Sequence, residues 1–194
     1  LSLQQLLMRV APERPLLCAA GEGTLSAGDL SGVLRAAPPV VDSCRNRSVA
    51  VLAPRTLNLA KLLLLLDGTC RQITLLPATE DTGLLQSIVD QSGSELVVTA
   101  DDQPIARQLR AVHIDLTPKI SPGEPACDNI TEPINETRWV LPTSGTTGKP
   151  KLVAHSLRSL TRSVTADIHR GREFVWGSLY GLSSFAGLQV FLQS

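Results

Sequence analysis

Hydrophobic positions along residues 1–116 follow two periods in turn, and this pattern predicts helices and strands that alternate along the chain. Apolar residues three to four positions apart predict helices at 3–10, 26–37, 55–66, 81–92 and 104–111. Short apolar runs between turn residues predict a hairpin at 16–25 and strands at 48–52, 71–76 and 95–99. This rhythm favours an α/β fold, in which helices flank a layered, mainly parallel sheet.

The pattern changes after residue 116. Residues 117–137 contain four prolines and several acidic or amide residues, which suit a surface connection better than a core element. Apolar residues at 139–141 then predict a strand, and residues 152–154 predict a second, short strand. Ser156 can cap a helix that continues to residue 164.

Charge and hydropathy narrow the class of protein. The 18 basic and 18 acidic residues give a formal net charge of zero, which disfavours binding to nucleic acid or to an anionic membrane. The longest apolar run, at 62–66, is far shorter than the ~20 residues that span a bilayer. We therefore expect a soluble, cytoplasmic protein.

The cysteines are spaced too widely for a zinc or redox motif of the CxxC type. We expect reduced, mostly buried thiols, and two disulfides are the alternative. The four cysteines are Cys18, Cys44, Cys70 and Cys127.

Ten residues after the 139–141 strand combine the groups that hold a polyphosphate. Gly145 and Gly148 let the backbone approach a ligand closely, so that successive N–H groups can point into one concavity. Lys149 and Lys151 add positive charge on either side of Pro150. Hydroxyl groups add neutral donors for phosphate oxygens, from Thr143, Ser144, Thr146 and Thr147. The segment 142–151 is therefore predicted to be a phosphate-binding loop.

The alternative is a polar surface turn, because glycine, serine, threonine and proline all favour turns. The density of hydroxyls, glycines and lysines directly after an apolar strand favours phosphate binding instead. A Walker A loop is excluded, because two residues rather than four separate Gly145 from Gly148, and Pro150 follows the lysine. No GxGxxG dinucleotide fingerprint occurs.

Residues 143–151, which read TSGTTGKPK, closely resemble the signature loop of the adenylate-forming superfamily. Its members include acyl- and aryl-CoA synthetases, luciferases and the adenylation domains of non-ribosomal peptide synthetases. One departure is Leu152, where the family most often has glycine, whereas His155 fits the family's pattern. Weaker similarity covers 15–37 and 48–99, and 176–194 resembles the beginning of the acyl-substrate pocket.

The resemblance implies an ATP-dependent ligase that joins a small carboxylic acid to a thiol. The carboxylate would attack the α-phosphorus of ATP, release pyrophosphate and leave an acyl-adenylate, whose acyl group would pass to coenzyme A. Mg²⁺ would bridge the phosphates. The loop would cradle the β- and γ-phosphates, and Lys151 would be the catalytic residue that neutralises charge on the leaving group.

Two alternatives stay open: an adenylation domain that loads a carrier-protein thiol, and a non-catalytic module derived from the family. The resemblance implies three segments, an N-terminal α/β subdomain (1–116), a connecting segment (117–137), and a phosphate-loop hairpin with the start of the acyl pocket (138–194). Later motifs of the family, among them a ribose-binding aspartate and a C-terminal domain with a catalytic lysine, do not occur before Ser194. We therefore expect the N-terminal part of a larger enzyme, inactive by itself.

Other polar and aromatic residues carry weaker predictions. The histidines lack a catalytic partner in the sequence pattern and are expected to be surface or structural residues: His113, His155 and His169. Asp101 and Asp102 are expected in an exposed turn. Three residues either line an acyl pocket or pack a helix: Tyr180, Phe185 and Leu188.

Overall fold

A computed structural model describes residues 2–117, 136–143, 150–162 and 177–193 of the chain. The chain begins with helix α1 (Leu3–Leu7). Strands β1 (Pro15–Ala19) and β2 (Gly23–Ser26) then pair antiparallel in a sheet of their own. Helix α2 (Ala27–Arg35) and a 3₁₀ helix (Pro39–Cys44) lead from this hairpin into the main sheet. The predicted hairpin is thus confirmed, whereas the 3₁₀ helix has no counterpart in the sequence prediction.

The main sheet is built from strands that alternate with helices, as the hydrophobic periods predict. In chain order the elements are β3 (Ser48–Val51), α3 (Thr56–Leu66), β4 (Gln72–Leu75), α4 (Thr82–Ser92), β5 (Leu96–Thr99), α5 (Pro104–Gln108) and β6 (Val112–His113). The later elements are β7 (Arg138–Thr143), β8 (Lys151–Ser156), α6 (Leu157–Leu160) and α7 (Phe185–Gln193).

Within the described residues, the main sheet has six strands in the order β6-β5-β3-β4-β7-β8. Neighbouring strands from β6 to β7 are parallel, and β8 runs antiparallel to β7. The prediction of a mainly parallel sheet flanked by helices is confirmed. Because β7 pairs with β4, the 138–156 hairpin extends the same sheet as residues 48–113. The proposed boundaries at 116 and 137 stay a prediction.

Alternate residues at and just after the central strand β3 face two separate hydrophobic clusters. In β3, Val49 and Val51 belong to the cluster formed with α1, α2 and α3. Ala50 and Leu52 belong to the cluster formed with α4 and α5. Helix α3 is apolar nearly all round because it lies between the sheet and the outer helices, and eight of its residues are buried.

Helix α3 lacks a capping side chain of its own, and the β1–β2 turn provides one. The N-cap residue Arg55 makes no side-chain hydrogen bond to the helix. Instead, the carboxylate of Glu22 accepts hydrogen bonds from the N–H groups of Thr56 and Leu57, both at 2.9 Å. A carboxylate at this end also interacts favourably with the helix dipole. Glu22 therefore ties the small hairpin to the main sheet through α3.

We expect Glu22→Ala to lower the free energy of unfolding by about 1–2 kcal/mol, since the N-terminus of α3 then loses its cap. Urea denaturation followed by circular dichroism measures this loss. Glu13→Ala is the matched control, because Glu13 is an exposed residue just before the same hairpin. An equal loss in both variants would contradict the capping role.

A carboxyl group is buried where α3 ends. Asp67 is 2% exposed, and its carboxylate accepts a hydrogen bond from the N–H of Leu3 at 2.7 Å. Burial raises the pKa of Asp67 from 3.8 to about 6, because desolvation outweighs the stabilising hydrogen bond from Leu3. The folded state therefore binds this proton more tightly than the unfolded chain does.

The raised pKa of Asp67 makes stability depend on pH. Its contribution is fully present below pH 3.8 and is lost as the pH rises through about 6. The difference corresponds to about 3 kcal/mol. We expect Asp67→Asn to show a shallower decline of the free energy of unfolding between pH 4 and pH 7 than the parent protein, as measured by urea denaturation at each pH. Parallel curves for the two proteins would rule this role out.

Candidate phosphate-binding site

The two ends of the predicted phosphate loop are held together by a regular hairpin. Strands β7 and β8 pair from Arg138 opposite Ser156 to Thr143 opposite Lys151. At the last pair, the Thr143 hydroxyl donates a hydrogen bond to the Lys151 carbonyl oxygen at 3.1 Å. The loop therefore starts and ends at neighbouring backbone positions, as a closed phosphate-binding turn requires.

The hairpin points towards the edge of the sheet where α/β proteins bind ligands. Because β7 is parallel to β4, it ends at the same edge as the carboxyl ends of the other parallel strands. Ligands in open α/β sheets bind outside this edge. The sequence pattern located the loop after a strand, and the pairing of β7 with β4 places the two described ends of the loop, Thr143 and Lys151, at this edge.

Of the predicted phosphate-binding residues, the structure describes Thr143 and Lys151. Both are exposed, on opposite strands at the mouth of the loop. Lys151 has no carboxylate partner among the described residues, so its ammonium group is not neutralised there. The remaining predicted binding residues lie outside the described ranges: Ser144, Gly145, Thr146, Thr147, Gly148 and Lys149.

Leu152, the departure from the family's loop, fits its position in the strand. It pairs with Pro142 in the regular register of β8. It is half-buried and packs against the hydrophobic cluster of α4 and α5. A side chain at this position therefore adds apolar contact without disturbing the hairpin.

His155 connects the hairpin to the last described helix. Its ring lies 5.2 Å from that of Phe185, centroid to centroid, with an angle of 34° between the planes. Phe185 is the first residue of α7 and is 41% exposed. His155 therefore has a packing partner, and the expectation that it is a surface or structural residue without a catalytic role stays a prediction. His113 is exposed on β6, and His169 lies outside the described residues.

The three candidates for an acyl pocket have different surroundings. Leu188 is fully buried in the main core, so helix packing accounts for it. Tyr180 is 65% exposed, and Phe185 contacts His155. A role in the acyl pocket stays a prediction for Tyr180 and Phe185.

The prediction of an exposed turn is wrong for Asp101. This residue is 7% exposed and accepts a hydrogen bond from the Asn58 side-chain amide at 2.6 Å. Only Asp102 is exposed, and it pairs with Arg107 at 2.8 Å. Two adjacent acidic residues are typical of a solvated turn, but Asp101 lies two residues after the end of β5 and is buried. Its position at the carboxyl end of a strand was the signal that could have indicated this.

The Asn58–Asp101 hydrogen bond joins two segments that lead to opposite faces of the sheet. Asn58 lies in the first turn of α3, which packs on one face of the sheet, whereas α5 after Asp101 packs on the other. The chain thus passes from β3 and from β5 to opposite faces of the sheet, and this hydrogen bond joins the two segments. The sequence prediction missed this contact, because its partners are 43 residues apart.

Within the described ranges, no three His, Cys, Asp or Glu side chains cluster in a way that could hold a metal ion. Among the helices that the structure describes, none has the length and hydropathy needed to cross a membrane.

Comparison with known proteins gives a match in structure only. No protein-family model matches the sequence, and no curated protein matches it either. Among solved structures, the chain is similar to O-succinylbenzoate coenzyme A synthetase (MenE) from Bacillus subtilis in complex with ATP and magnesium ion. The TM-score is 0.69 at 16% identity, over 98% of this chain and 53% of that one. The same enzyme with the acyl-adenylate OSB-AMP gives a TM-score of 0.67 at 18% identity, over 98% of this chain and 52% of that one.

The chain is also similar in structure to a protein other than MenE. The Klebsiella oxytoca NpsA N-terminal subdomain, in complex with 3-hydroxybenzoyl-AMSN, gives a TM-score of 0.55 at 16% identity, over 83% of this chain and 42% of that one. The fold is therefore that of the N-terminal part of adenylate-forming enzymes. The chain spans about half the length of the MenE chains that it matches.

Proposed function

We propose that this chain provides the ATP-phosphate site of an enzyme that activates a carboxylic acid as an acyl-adenylate and transfers the acyl group to a thiol. The observation that carries the proposal is the β7–β8 hairpin, which closes the glycine- and hydroxyl-rich loop between Thr143 and Lys151. The similarity to the fold of MenE, solved with ATP and magnesium ion, supports it.

The reaction needs a site that meets developing negative charge. The carboxylate oxygen bonds to the α-phosphorus as the bond to the pyrophosphate oxygen breaks, and charge moves onto the leaving group. Fixed donors and cations in the loop stabilise that charge without having to reorganise. Lys151 is suited to this task, since its exposed ammonium group has no carboxylate partner in the described part of the chain.

Thr143 and the loop residues have different roles in the proposed site. The Thr143 hydroxyl donates a hydrogen bond to the Lys151 carbonyl oxygen, so we assign it mainly to holding the loop closed. The hydroxyls of Ser144, Thr146 and Thr147, the amides of Gly145 and Gly148, and Lys149 then meet the β- and γ-phosphates. Mg²⁺ would be held largely by phosphate oxygens, which it prefers as ligands.

In the second half-reaction a thiol sulfur attacks the acyl carbonyl, and AMP leaves with the electrons of the broken bond. We propose coenzyme A as the acceptor, with a carrier-protein thiol as the alternative. The parts of MenE and NpsA that match this chain make up about half of those chains or less. We therefore expect residues 1–194 alone not to form acyl-adenylate. We also place the enzyme in the cytoplasm, with no nucleic-acid partner.

The proposed activity is tested with the full-length protein by exchange of labelled pyrophosphate into ATP, in the presence of a panel of aliphatic and aromatic carboxylic acids. The account predicts exchange that depends on both Mg²⁺ and one class of acid. Thioester formation with coenzyme A, compared with a phosphopantetheinylated carrier protein, then distinguishes the two acceptors. Absence of exchange with every acid, in a protein that binds ATP, would favour the non-catalytic alternative.

A further inference from the structure

A cavity lies where four helical elements of the fold meet. Its volume is about 210 Å³. The walls come from α1, the C-terminal end of α2, the 3₁₀ helix and the end of α3, and they include Gln4, Leu34, Arg35, Val41, Leu65 and Thr69. Protein interiors leave few voids larger than a water molecule, so a space of this size has room for a ligand.

The cavity and the phosphate loop lie at opposite edges of the main sheet. Thr69 comes just before β4, at the amino ends of the parallel strands, whereas β7 carries Thr143 to their carboxyl ends. Gln72, the first residue of β4, pairs with Arg138 of β7. Thr143 lies at the far end of β7 from Arg138, roughly 17 Å along the strand. A ligand in the cavity is therefore too far away to contact phosphates held at Thr143 and Lys151.

Part of the cavity wall is apolar. Leu34, Val41 and Leu65 line it, and each is less than a tenth exposed and belongs to the main hydrophobic cluster. An apolar ligand group gains free energy by displacing water from such side chains. A cavity of about 150 Å³ with apolar walls holds a benzene molecule. This cavity therefore has room for one ring, or a short aliphatic chain, together with a polar group.

The neutral polar groups of the wall already have partners within the protein. The side-chain amide of Gln4 donates a hydrogen bond to the Leu64 carbonyl oxygen at 3.1 Å. The hydroxyl of Thr69 donates to the Leu65 carbonyl oxygen, also at 3.1 Å. These bonds fix the two side chains, so the charged residues decide which polar group a ligand must have.

The charged residues leave one positive charge without a counterion. Two arginines and one aspartate line the cavity. Arg45 pairs with Asp42 at 3.3 Å, whereas Arg35 forms no ion pair with a carboxylate of the described residues. Arg35 lies in the last turn of α2 and is exposed. A guanidinium group binds a carboxylate through two parallel hydrogen bonds, so a single monoanion would match this charge.

We propose that this cavity is a second ligand site, which binds a small monocarboxylate with an aromatic ring or a short aliphatic chain. The carboxylate bonds to the guanidinium of Arg35, and the apolar part packs against Leu34, Val41 and Leu65. A phosphate ion has no apolar part to bury, and an uncharged amide does not neutralise Arg35, so both bind more weakly. The site is separate from the proposed phosphate site and from the acid that the enzyme would activate.

Hydrogen–deuterium exchange of the full-length protein, followed by mass spectrometry, tests the proposal with benzoate as the probe. Benzoate is added to about 10 mM, above the weak affinity expected of a ligand with about nine heavy atoms. Sodium chloride replaces it in the reference sample, so that the ionic strength is constant. We expect slower exchange in peptides that cover 34–45 and 65–70. Unchanged exchange in these peptides, with or without protection elsewhere in the protein, would overturn the proposal.

Two further probes test the chemical class of the ligand. Benzamide keeps the ring but lacks the charge, and inorganic phosphate keeps a negative charge but lacks the ring. At the same concentration, each should protect the 34–45 and 65–70 peptides less than benzoate does. Equal protection by either probe would contradict the assignment of a carboxylate with an apolar part.

Variants test the residues, with affinity measured from the dependence of exchange on benzoate concentration. Arg35→Gln should weaken binding about ten-fold or more, the range for losing a hydrogen bond to a charged group. Ala37→Trp should also weaken it, because Ala37 lines the cavity and a larger side chain takes up its space. Both residues are exposed, and circular dichroism checks that both variants fold. Arg158→Gln is the matched control, since Arg158 is an exposed arginine that does not line the cavity. An Arg35→Gln protein that binds benzoate as tightly as the Arg158→Gln protein would refute the proposal.

Discussion

Lys151→Ala is expected to slow acyl-adenylate formation by about 10- to 10³-fold in the full-length enzyme, the range for removing one preorganised donor or charge. The charge matters most when pyrophosphate leaves, so the rate constant for adenylate formation should fall more than the affinity for the carboxylic acid. Lys151 is paired with Thr143 at the mouth of the loop, where its backbone position is fixed by the hairpin.

Rapid-quench measurement of acyl-adenylate gives this rate directly. Arg158→Ala is the matched control, because Arg158 is also exposed and lies in α6, beyond the other end of β8. It removes the same charge about 17 Å or more along the strand from Lys151. Lys151→Arg should retain part of the rate, since it keeps the charge. A Lys151→Ala enzyme as fast as the Arg158→Ala enzyme would contradict the assigned role.

Trp139→Ala is expected to lower the free energy of unfolding by about 3–5 kcal/mol, the range for truncating a large buried aromatic side chain. Trp139 is fully buried on β7, between Ile73 of β4 and His155 of β8. Its side chain belongs to the cluster that packs the sheet against α3. Removing it leaves a cavity where the phosphate-loop hairpin joins the parallel strands.

Urea denaturation followed by circular dichroism measures this loss, independently of tryptophan fluorescence. The control is Val153→Ala on the neighbouring strand of the same hairpin, where the side chain is exposed. We expect it to change the free energy of unfolding by no more than about 0.5 kcal/mol. A small effect in both variants would show that the hairpin is not anchored by Trp139.

Much of the fold could be predicted because local signals agree with the tertiary structure. Ser26 caps α2, where its hydroxyl accepts from the Asp29 N–H at 3.1 Å. Asp81 caps α4 in the same way at 2.9 Å, and Gly93 ends that helix with a φ of 63°. The all-round apolar character of α3 agrees with the burial of eight of its residues. These features depend on residues that are close in sequence, so the sequence alone shows the capping residues and the hydrophobic spacing.

Contacts between distant residues could not be predicted in this way. Hydrophobic period does not show that β3 lies between β5 and β4, since strand order depends on the direction of each crossover. Glu22 caps a helix that begins 34 residues later, although nothing local distinguishes it from Glu13. The burial of Asp101 likewise depends on Asn58 across the sheet edge.

Residue types alone predicted the candidate site. The structure adds the strand pairing and the hydrogen bond that hold the two ends of the loop. Glycines, hydroxyls and lysines indicated phosphate binding, but not which edge of the sheet the loop occupies. The parallel pairing of β7 with β4 shows the edge at which the two described ends of the loop, Thr143 and Lys151, lie. The bond between the Thr143 hydroxyl and the Lys151 carbonyl shows how the two ends are closed.

The most direct test is a crystal structure of the full-length protein with ATP and Mg²⁺. The account predicts that the β- and γ-phosphates lie inside the loop between Thr143 and Lys151. Loop hydroxyls and amides should be within about 3 Å of phosphate oxygens, and the Lys151 ammonium within about 4 Å. Phosphates bound at another edge of the fold, with the 144–149 segment turned to solvent, would contradict it.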